Sequence, residues 1–323
     1  MPTEPCSPTA VPLHRSVING ATMGTRYSAV FYAESVDCNG EVGQALQAAV
    51  GAVDAQMSTW KPDTDLMRLN RAPAGMWFDV PDQLSAVLAK ALEVGRLSDG
   101  AFDIGVGDVV SAWGFGSQLN RAAQAPSEEA RVPAHLCLEL ERERCRVRKH
   151  ADITLDLSGI AKGFGVDELA RVLFDAGVRH FLVSIDGELR AMGGKPDGSP
   201  WRVAVETPQT GRRESEGVVE LVDGAIATSG DYRHFADVGG IRYGHTIDPA
   251  RRVPLTGGPS SVTVLAETCM AADAWATALL ILGPAIGAEV ASRYGLEAIF
   301  IERPRNPLST WPDQPSTQRR THP

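Results

Sequence analysis

The chain has 323 residues, of which 43% are hydrophobic and 22% charged, a composition typical of a globular protein with enough apolar material for a buried core. Its 31 basic and 40 acidic residues give a formal net charge of -9 at pH 7, which argues against general nucleic-acid binding. The five cysteines include no C-x-x-C pair, so the sequence predicts neither a disulfide framework nor a zinc site. A polyanionic ligand would therefore need local cations or backbone amides.

Three regions divide the chain by composition. Residues 1–15 and 303–323 are rich in Pro, Thr and Ser and are predicted to be disordered. Residues 16–302 lie between them and are predicted to form a single domain. No apolar run reaches transmembrane length, so we expect no membrane span.

The first half of this domain is mainly helical. The pattern predicts a strand over 26–34, an amphipathic helix over 41–60 and a second helix over 83–100, which ends at an Asp-Gly stop signal. Residues 101–131 form a loop-rich stretch that contains "GAFDIGVGDVVSAWGFG".

The second half mixes helices with hairpin-like strands. The predicted order is a strand (152–157), a Gly-rich turn (158–165), a helix (166–177), strands within 181–193, 201–208, 217–230, 242–248 and 260–266, a helix (269–283) and a last strand (296–302). Because helices and strands do not alternate strictly, we predict an α+β fold with mixed or antiparallel sheets and packed helices.

The segment "CMAADAWATALLILG" (269–283) carries an acid in an otherwise apolar helix. Asp273 and Thr277 are four residues apart, so their carboxylate and hydroxyl share one helix face and offer two oxygen ligands to a hard cation such as Mg2+. The alternatives are that Asp273 complements the helix dipole and that Thr277 is tolerated in the core.

The segment "DLSGIAKGFG" (156–165) combines glycines with a lysine before a helix. Its backbone amides and the Lys162 ammonium could hold a pyrophosphate or a metal, although the spacing matches no named nucleotide motif. A tight turn with a solvated lysine explains the pattern equally well.

Other candidates lie outside these segments. Trp60 stands at a turn where its ring could stack on a flat ligand or close the preceding helix. Asp103 beside Phe102 could bind a ligand or cap a turn, and His245 in "YGHTIDP" could act as a base or be structural. The histidine spacing does not suit a zinc hydrolase.

In order along 17–302, these segments resemble the ApbE family, the FAD:protein FMN transferases. The motifs are "MGTRYS", "MSTWKPDTDLMRLN", "GAFDIGVG", "WGFG", "LDLSGIAKGFGVD", "IDGELRAMG", "IATSGDYRHF", "HTIDP" and "ADAWATALLILG". The resemblance implies an ApbE-like fold and an enzyme that binds FAD with Mg2+. Such an enzyme moves the FMN moiety to a Ser or Thr hydroxyl of a target protein and releases AMP.

The resemblance also implies roles for individual residues. The metal ligands would be the Asp273 carboxylate, the Thr277 hydroxyl and the backbone carbonyl of Gly159. His245 would activate the acceptor hydroxyl or steady the phosphate, with Asp231 as a rival base. The residues that would contact FAD are Met23, Trp60, Ala101, Phe102, Asp103, Asp156, Lys162 and Ile247.

Two departures accompany the resemblance. Some members have an acidic or hydroxylated residue at the position of Ala276, which here offers only its backbone. Relatives are commonly exported and lipid-anchored, whereas "MPTEPCSPTAVPLHRS" contains no apolar leader, so we expect a cytoplasmic location for the sequence as written. Two further functions remain open: hydrolysis of FAD to FMN and AMP, and flavin binding without catalysis.

Overall fold

The computed structural model describes residues 12–34, 39–116, 132–207, 215–230, 235–238 and 241–302. The α-helices within these ranges are α1 (Asn39–Met57), α2 (Asp65–Arg71), α3 (Asp82–Leu97), α4 (Gly107–Ala112), α5 (Ala134–Cys137), α6 (Ala161–Asp175) and α7 (Cys269–Arg293). Short 3-10 helices lie at Ile104–Val106 and Arg142–Arg144.

The strands of the same ranges are short and fall into one large and several small sheets. They are β1 (His14–Thr22), β2 (Thr25–Ala33), β3 (Trp77–Asp79), β4 (Leu138–Glu141), β5 (Arg146–Lys149), β6 (His180–Ile185), β7 (Glu188–Met192), β8 (Trp201–Glu206), β9 (Ser215–Leu221), β10 (Gly224–Gly230), β11 (Phe235–Val238), β12 (Ile241–Gly244), β13 (Ile247–Asp248), β14 (Val253–Pro254), β15 (Ser261–Ala266) and β16 (Glu297–Ile301).

The main sheet has seven strands in the order β1-β2-β6-β7-β10-β15-β16, and every neighbouring pair is antiparallel. Helices α6 and α7 pack on this sheet, α6 against β6 and β7 and α7 against β10 and β15. Alternate residues of β6 are buried, as expected for a strand that covers a core with one face. The predicted α+β class is confirmed.

Helices α6 and α7 approach each other very closely at Gly163. A Cβ atom at this position would lie 2.4 Å from the backbone oxygen of Cys269, so only glycine fits. The prediction of a Gly-rich turn over 158–165 is therefore wrong after Ile160, because α6 begins at Ala161. The glycine serves helix packing there, and α6 ends, as predicted, before Gly177 with a φ of 83°.

Residues 152–157 have no regular secondary structure and pair with no strand among the described residues, which corrects the predicted strand. Their backbone groups bond to the backbone of a 3-10 helix and to a side chain of α2 instead. The Asp156 N–H donates to the carbonyl of Ile104 (2.8 Å), and the Leu155 N–H and carbonyl both bond to the side-chain amide of Asn70 (2.8 and 2.9 Å). These contacts satisfy the backbone without a sheet.

Helix α7 is long and apolar enough to cross a membrane by length and composition, although half of the relevant window is buried inside the protein. Gly283 has a φ of 73° and a ψ of 173°, and Pro284 follows, so the helix is kinked there. Its packing on β10 and β15 is that of a core helix.

Some predicted element boundaries differ from those in the structure, and some predicted segments lie outside the described residues. Strand β1 begins at His14, inside the segment predicted to be disordered up to residue 15. The stretch predicted as loop from residue 101 includes α4. Residues 117–131 and 303–323 lie outside the described residues.

Candidate active site

Asp273 lies on α7 with only 3% of its surface exposed. Its Oδ2 accepts a hydrogen bond from the backbone N–H of Gly163 at 2.9 Å. Burial, reinforced by the nearby carboxylate of Glu188, raises the pKa of Asp273 to about 7, although Lys162 and the Gly163 amide act in the opposite direction. The ionised carboxylate therefore lacks full compensation from the protein itself.

Thr277 lies on α7, one turn after Asp273, and contacts Gly159, which precedes α6. The Oγ1 of Thr277 lies 3.0 Å from the Oγ of Ser229 on β10, and a Cβ at position 159 would lie 3.2 Å from the same Oγ1. The fold thus places Thr277 against Gly159, with Asp273 one turn earlier on α7, although Gly159 comes from a distant part of the chain. We call Gly159, Ser229, Asp273 and Thr277 the oxygen cluster.

The oxygen cluster suits a hard cation with few protein ligands. Its donors are a buried carboxylate, hydroxyls and backbone, which are the groups that Mg2+ prefers. Among the described residues, no three His, Cys, Asp or Glu side chains come together as a metal site, so a softer or carboxylate-rich centre is not found there. Ala276 lies between Asp273 and Thr277 in the sequence and is fully buried. Its methyl side chain offers no ligand to a metal.

Lys162 is held by a buried glutamate next to the oxygen cluster. Its Nζ lies 2.7 Å from Oε1 of Glu188 and 3.8 Å from Oδ2 of Asp186. Burial lowers the pKa of Lys162, but the carboxylates of Glu188 and Asp273 outweigh that effect and raise it above its ordinary value. Lys162 therefore stays charged at neutral pH, and the alternative of a fully solvated lysine does not hold.

Glu188 is the residue that the sequence interpretation missed here. It starts β7, is 2% exposed, and its Oε2 has no hydrogen-bond partner among the described atoms. Burial raises its pKa, opposed by Lys162. A charged residue among the alternating apolar residues of "IDGELRAM" was the available signal.

Two predicted ligand-contacting aspartates shape the loops around the cluster. Asp103 accepts hydrogen bonds at Oδ1 from the N–H groups of Gly105 (2.8 Å) and Ala134 (3.0 Å), so it caps a turn. Asp156 accepts the N–H of Ser158 at 2.8 Å. Contact with FAD by either residue stays a prediction.

The predicted aromatic and apolar contacts near the cluster lie against α6 and the turn before it. The ring of Phe102 lies 3.2 Å from the Cβ position of Gly159, and the adjacent Ala101 is buried. The Cε of Met23 lies 3.0 Å from the Cβ position of Gly165. Met23 and Gly24 form the two-residue turn between β1 and β2, both with positive φ (46° and 71°).

None of the contacts described above joins the remaining predicted site residues to the oxygen cluster. These residues are Trp60, His245, Ile247 and Asp231. Trp60 lies between α1 and α2 and is 62% exposed, so its ring is not part of the core. His245 is exposed between β12 and β13, and Ile247 begins β13 and is buried. Asp231, the rival base, lies outside the described residues.

Asp167 holds the first turn of α7 in place, a role that was not predicted from the sequence. Its two carboxylate oxygens accept the N–H groups of Cys269 and Met270, each at 2.9 Å, and Arg190 pairs with it at 2.6 Å. Burial raises its pKa, although Arg190 opposes the shift. An acid at a helix N-terminus stabilises the free N–H groups and here orients the helix that carries Asp273.

Comparison with known proteins agrees with this geometry. The model of the ApbE family matches residues 23–300. The chain is 34% identical over 305 residues to the FAD:protein FMN transferase of Escherichia coli K12, covering 92% of this chain and 86% of that protein.

Solved structures show the same fold. The flavin transferase ApbE from Vibrio cholerae matches with a TM-score of 0.79 and 35% identity, covering 90% of this chain and 94% of that one. The apo flavinyl transferase ApbE from Pseudomonas stutzeri matches with a TM-score of 0.80 and 36% identity, covering 90% and 92%. The chain therefore belongs to the ApbE family and is a transferase.

Proposed function

We propose that the protein is an FAD:protein FMN transferase that moves the FMN moiety of FAD to a Ser or Thr hydroxyl of an acceptor protein and releases AMP, with Mg2+ as cofactor. The relatives from E. coli and V. cholerae are named FAD:protein FMN transferase, which supports the transfer of FMN from FAD to a protein. The observation that carries the proposal for this chain is the oxygen cluster, in which a 3% exposed aspartate and a threonine hydroxyl meet a glycine turn beside a helix N-terminus.

The residues of the cluster fit Mg2+. The Asp273 carboxylate, the Thr277 hydroxyl and the Gly159 carbonyl would hold it, with Ser229 supporting Thr277 through their 3.0 Å contact. When bound, the cation supplies positive charge to the pyrophosphate of FAD.

The protein's own groups supply the rest of the electrostatics. Lys162 is charged and 30% exposed in its side chain, so it can face a phosphate oxygen while Glu188 holds it from the buried side. The N-terminus of α6, which begins at Ala161, adds partial positive charge at the same end. Phe102, 4% exposed against the Gly159 turn, keeps water from that side of the cluster.

The transfer step exchanges one P–O bond for another. The acceptor hydroxyl oxygen bonds to the flavin-side phosphorus while the bond from that phosphorus to the bridging oxygen breaks, and AMP leaves with that oxygen. His245 accepts the hydroxyl proton in this proposal. Its side chain is exposed, so it can reach a hydroxyl on the surface of another protein.

A labelling assay tests the proposal. The purified protein is incubated with FAD, Mg2+ and an acceptor protein that the V. cholerae relative labels, with that relative as the positive control. We expect flavin fluorescence that stays on the acceptor in a denaturing gel, together with one AMP per flavin transferred. Replacing Mg2+ by EDTA should abolish both signals.

The same assay separates the alternatives. Free FMN and AMP without labelling would show hydrolysis, in which water replaces the acceptor. Unchanged FAD would show binding without catalysis. Either result, with the relative active on the same acceptor, would contradict the proposed transfer.

A further inference from the structure

Arg252 occupies a backbone conformation that favours glycine. It is the last residue of the loop between β13 and β14, its φ is 57°, and its N–H donates to the carbonyl of Asp248 at 2.8 Å. A glycine closes such a turn without steric strain, whereas an L-residue with a Cβ does so at a cost. The arginine side chain must therefore contribute something that outweighs this cost.

The Arg252 side chain is largely buried and reaches a distant part of the chain. Only 15% of it is exposed, and its Nη2 donates to Oδ2 of Asp108 on α4 at 2.9 Å. Its Nε is buried and has no hydrogen-bond partner among the described atoms. A buried, unsatisfied donor is a second cost, so the ion pair gives little or no net stability relative to a glycine turn.

The pair joins two segments that carry predicted site residues. Helix α4 follows the segment with Ala101, Phe102 and Asp103 after one short 3-10 helix, and the β13–β14 hairpin follows His245. The rings of Trp113 and Tyr243 join the same two segments a second time, with centroids 5.1 Å apart.

We propose that the Asp108–Arg252 ion pair is a positioning clamp that holds the His245 segment against the segment 101–103 for FMN transfer. Strain retained despite its local cost is a feature of functional sites, and here it lies in the hairpin that follows the predicted base in the chain. Neither residue of the pair contacts FAD in this proposal. The inference rests on the proposed function, because the clamp acts through the transfer step.

The test compares Arg252→Gly with Arg251→Gly. Arg251 is the adjacent residue, its side chain is 60% exposed, and its Nε lies 3.8 Å from Asp248, so the control makes the same change without breaking the clamp. We expect Arg252→Gly to lower kcat for labelling by about ten- to a hundredfold, because small displacements of a reacting group cost that much. The Kd for FAD and the Tm should stay near wild type, and Arg251→Gly should keep kcat within about twofold.

Two further measurements separate positioning from folding. The amides of 243–255 should exchange hydrogen faster in Arg252→Gly than in Arg251→Gly, while those of α7 stay protected. If Arg252→Gly lowers the Tm, Asp108→Asn decides, since it breaks the ion pair and leaves the turn unchanged. The double variant Asp108→Asn/Arg252→Gly should be no slower than the slower single variant.

Equal kcat for Arg252→Gly and Arg251→Gly, with an active wild type, would overturn the clamp and leave the proposed function standing. An inactive wild type, on an acceptor that the V. cholerae relative labels, would instead overturn the proposed function and the clamp with it.

Discussion

The proposed function uses the oxygen cluster and the His245 segment together, but the two are held in place by different means. Asp273 is buried in α7, bonded to the backbone of α6 and oriented through Asp167. His245 is exposed and lies next to a hairpin that is tied to α4 by one ion pair and one ring contact. The oxygen cluster is therefore part of the core, whereas the His245 segment is held at the surface by these two contacts.

The difference fits a transferase with two unequal substrates. Stabilising phosphate charge is most effective where fixed groups exclude water, as in a core. An acceptor protein is large, so the group that meets its hydroxyl has to lie at the surface. Changes in the buried region should therefore alter charge stabilisation and folding, and changes in the exposed region should alter positioning alone.

The largest effect is expected from Asp273→Ala. Loss of the only carboxylate in the oxygen cluster should lower Mg2+-dependent labelling by about 10²–10³-fold or more, the range found for removal of one strong electrostatic contact. The rate is measured by gel fluorescence against Mg2+ concentration, with circular dichroism as the control for folding. Full activity in this variant would rule out the metal assignment.

Asp273→Asn separates the electrostatic cost of the buried charge from its function. The pKa of Asp273 is about 7 in the folded protein and 3.8 for an ordinary aspartate, so the folded protein binds the proton more tightly. Its contribution to stability is fully present below about pH 4 and is lost as the pH rises to about 7. Relative to wild type, the asparagine variant should thus gain on the order of 1–4 kcal/mol between these pH values.

Urea unfolding without Mg2+, at pH 5 and at pH 7.5, measures this gain, and the asparagine can still accept the N–H of Gly163. Saturating Mg2+ should stabilise the wild type at pH 7.5 and leave the variant unchanged. A wild type and variant with parallel pH curves would show that Asp273 does not carry the buried charge.

Gly163→Ala tests the close packing that places Asp273. The new Cβ would lie 2.4 Å from the Cys269 oxygen, which is backbone and cannot move aside, so we expect a loss of about 1–3 kcal/mol in the free energy of unfolding. Gly51→Ala in α1 is the control, because Gly51 has nothing within 4 Å of its Cβ position. It should stabilise by about 0.5–1 kcal/mol. Equal effects in the two variants would contradict the packing argument.

Trp60→Ala changes an exposed side chain outside both regions and should leave the free energy of unfolding unchanged. If the ring stacks on the flavin or adenine of FAD, binding should weaken by about 1–3 kcal/mol, as for bases stacked on aromatic rings. Titration calorimetry with FAD measures the change, and Phe174→Ala, at another exposed aromatic side chain, is the control. An unchanged affinity would make Trp60 a surface residue without a binding role.

Much of the local structure follows from residue patterns alone. The helices at 41–60, 83–100 and 269–283 and most strands of the main sheet were predicted from apolar periodicity. They are present with shifts of a few residues, except that α7 continues beyond the predicted end at 283 to Arg293. The prediction of a strand over 152–157 is wrong because the segment has the composition of a strand, while its partners Asn70 and Ile104 lie in α2 and in a 3-10 helix, far away in sequence. Apolar periodicity indicates which residues of a segment are buried. It does not specify which other segment their backbone groups bond to.

The sequence by itself determined the fold class, the family resemblance and the pairing of Asp273 with Thr277, because residues four apart on a helix share a face whatever surrounds them. Tertiary structure alone decided that Gly159 and Ser229 meet Thr277, that Glu188 forms an ion pair with Lys162, and that Arg252 reaches Asp108 across 144 residues. The reason is physical: local geometry is set by backbone dihedral angles within a few residues, whereas burial, desolvation and charge pairing depend on which distant segments the packed core brings together.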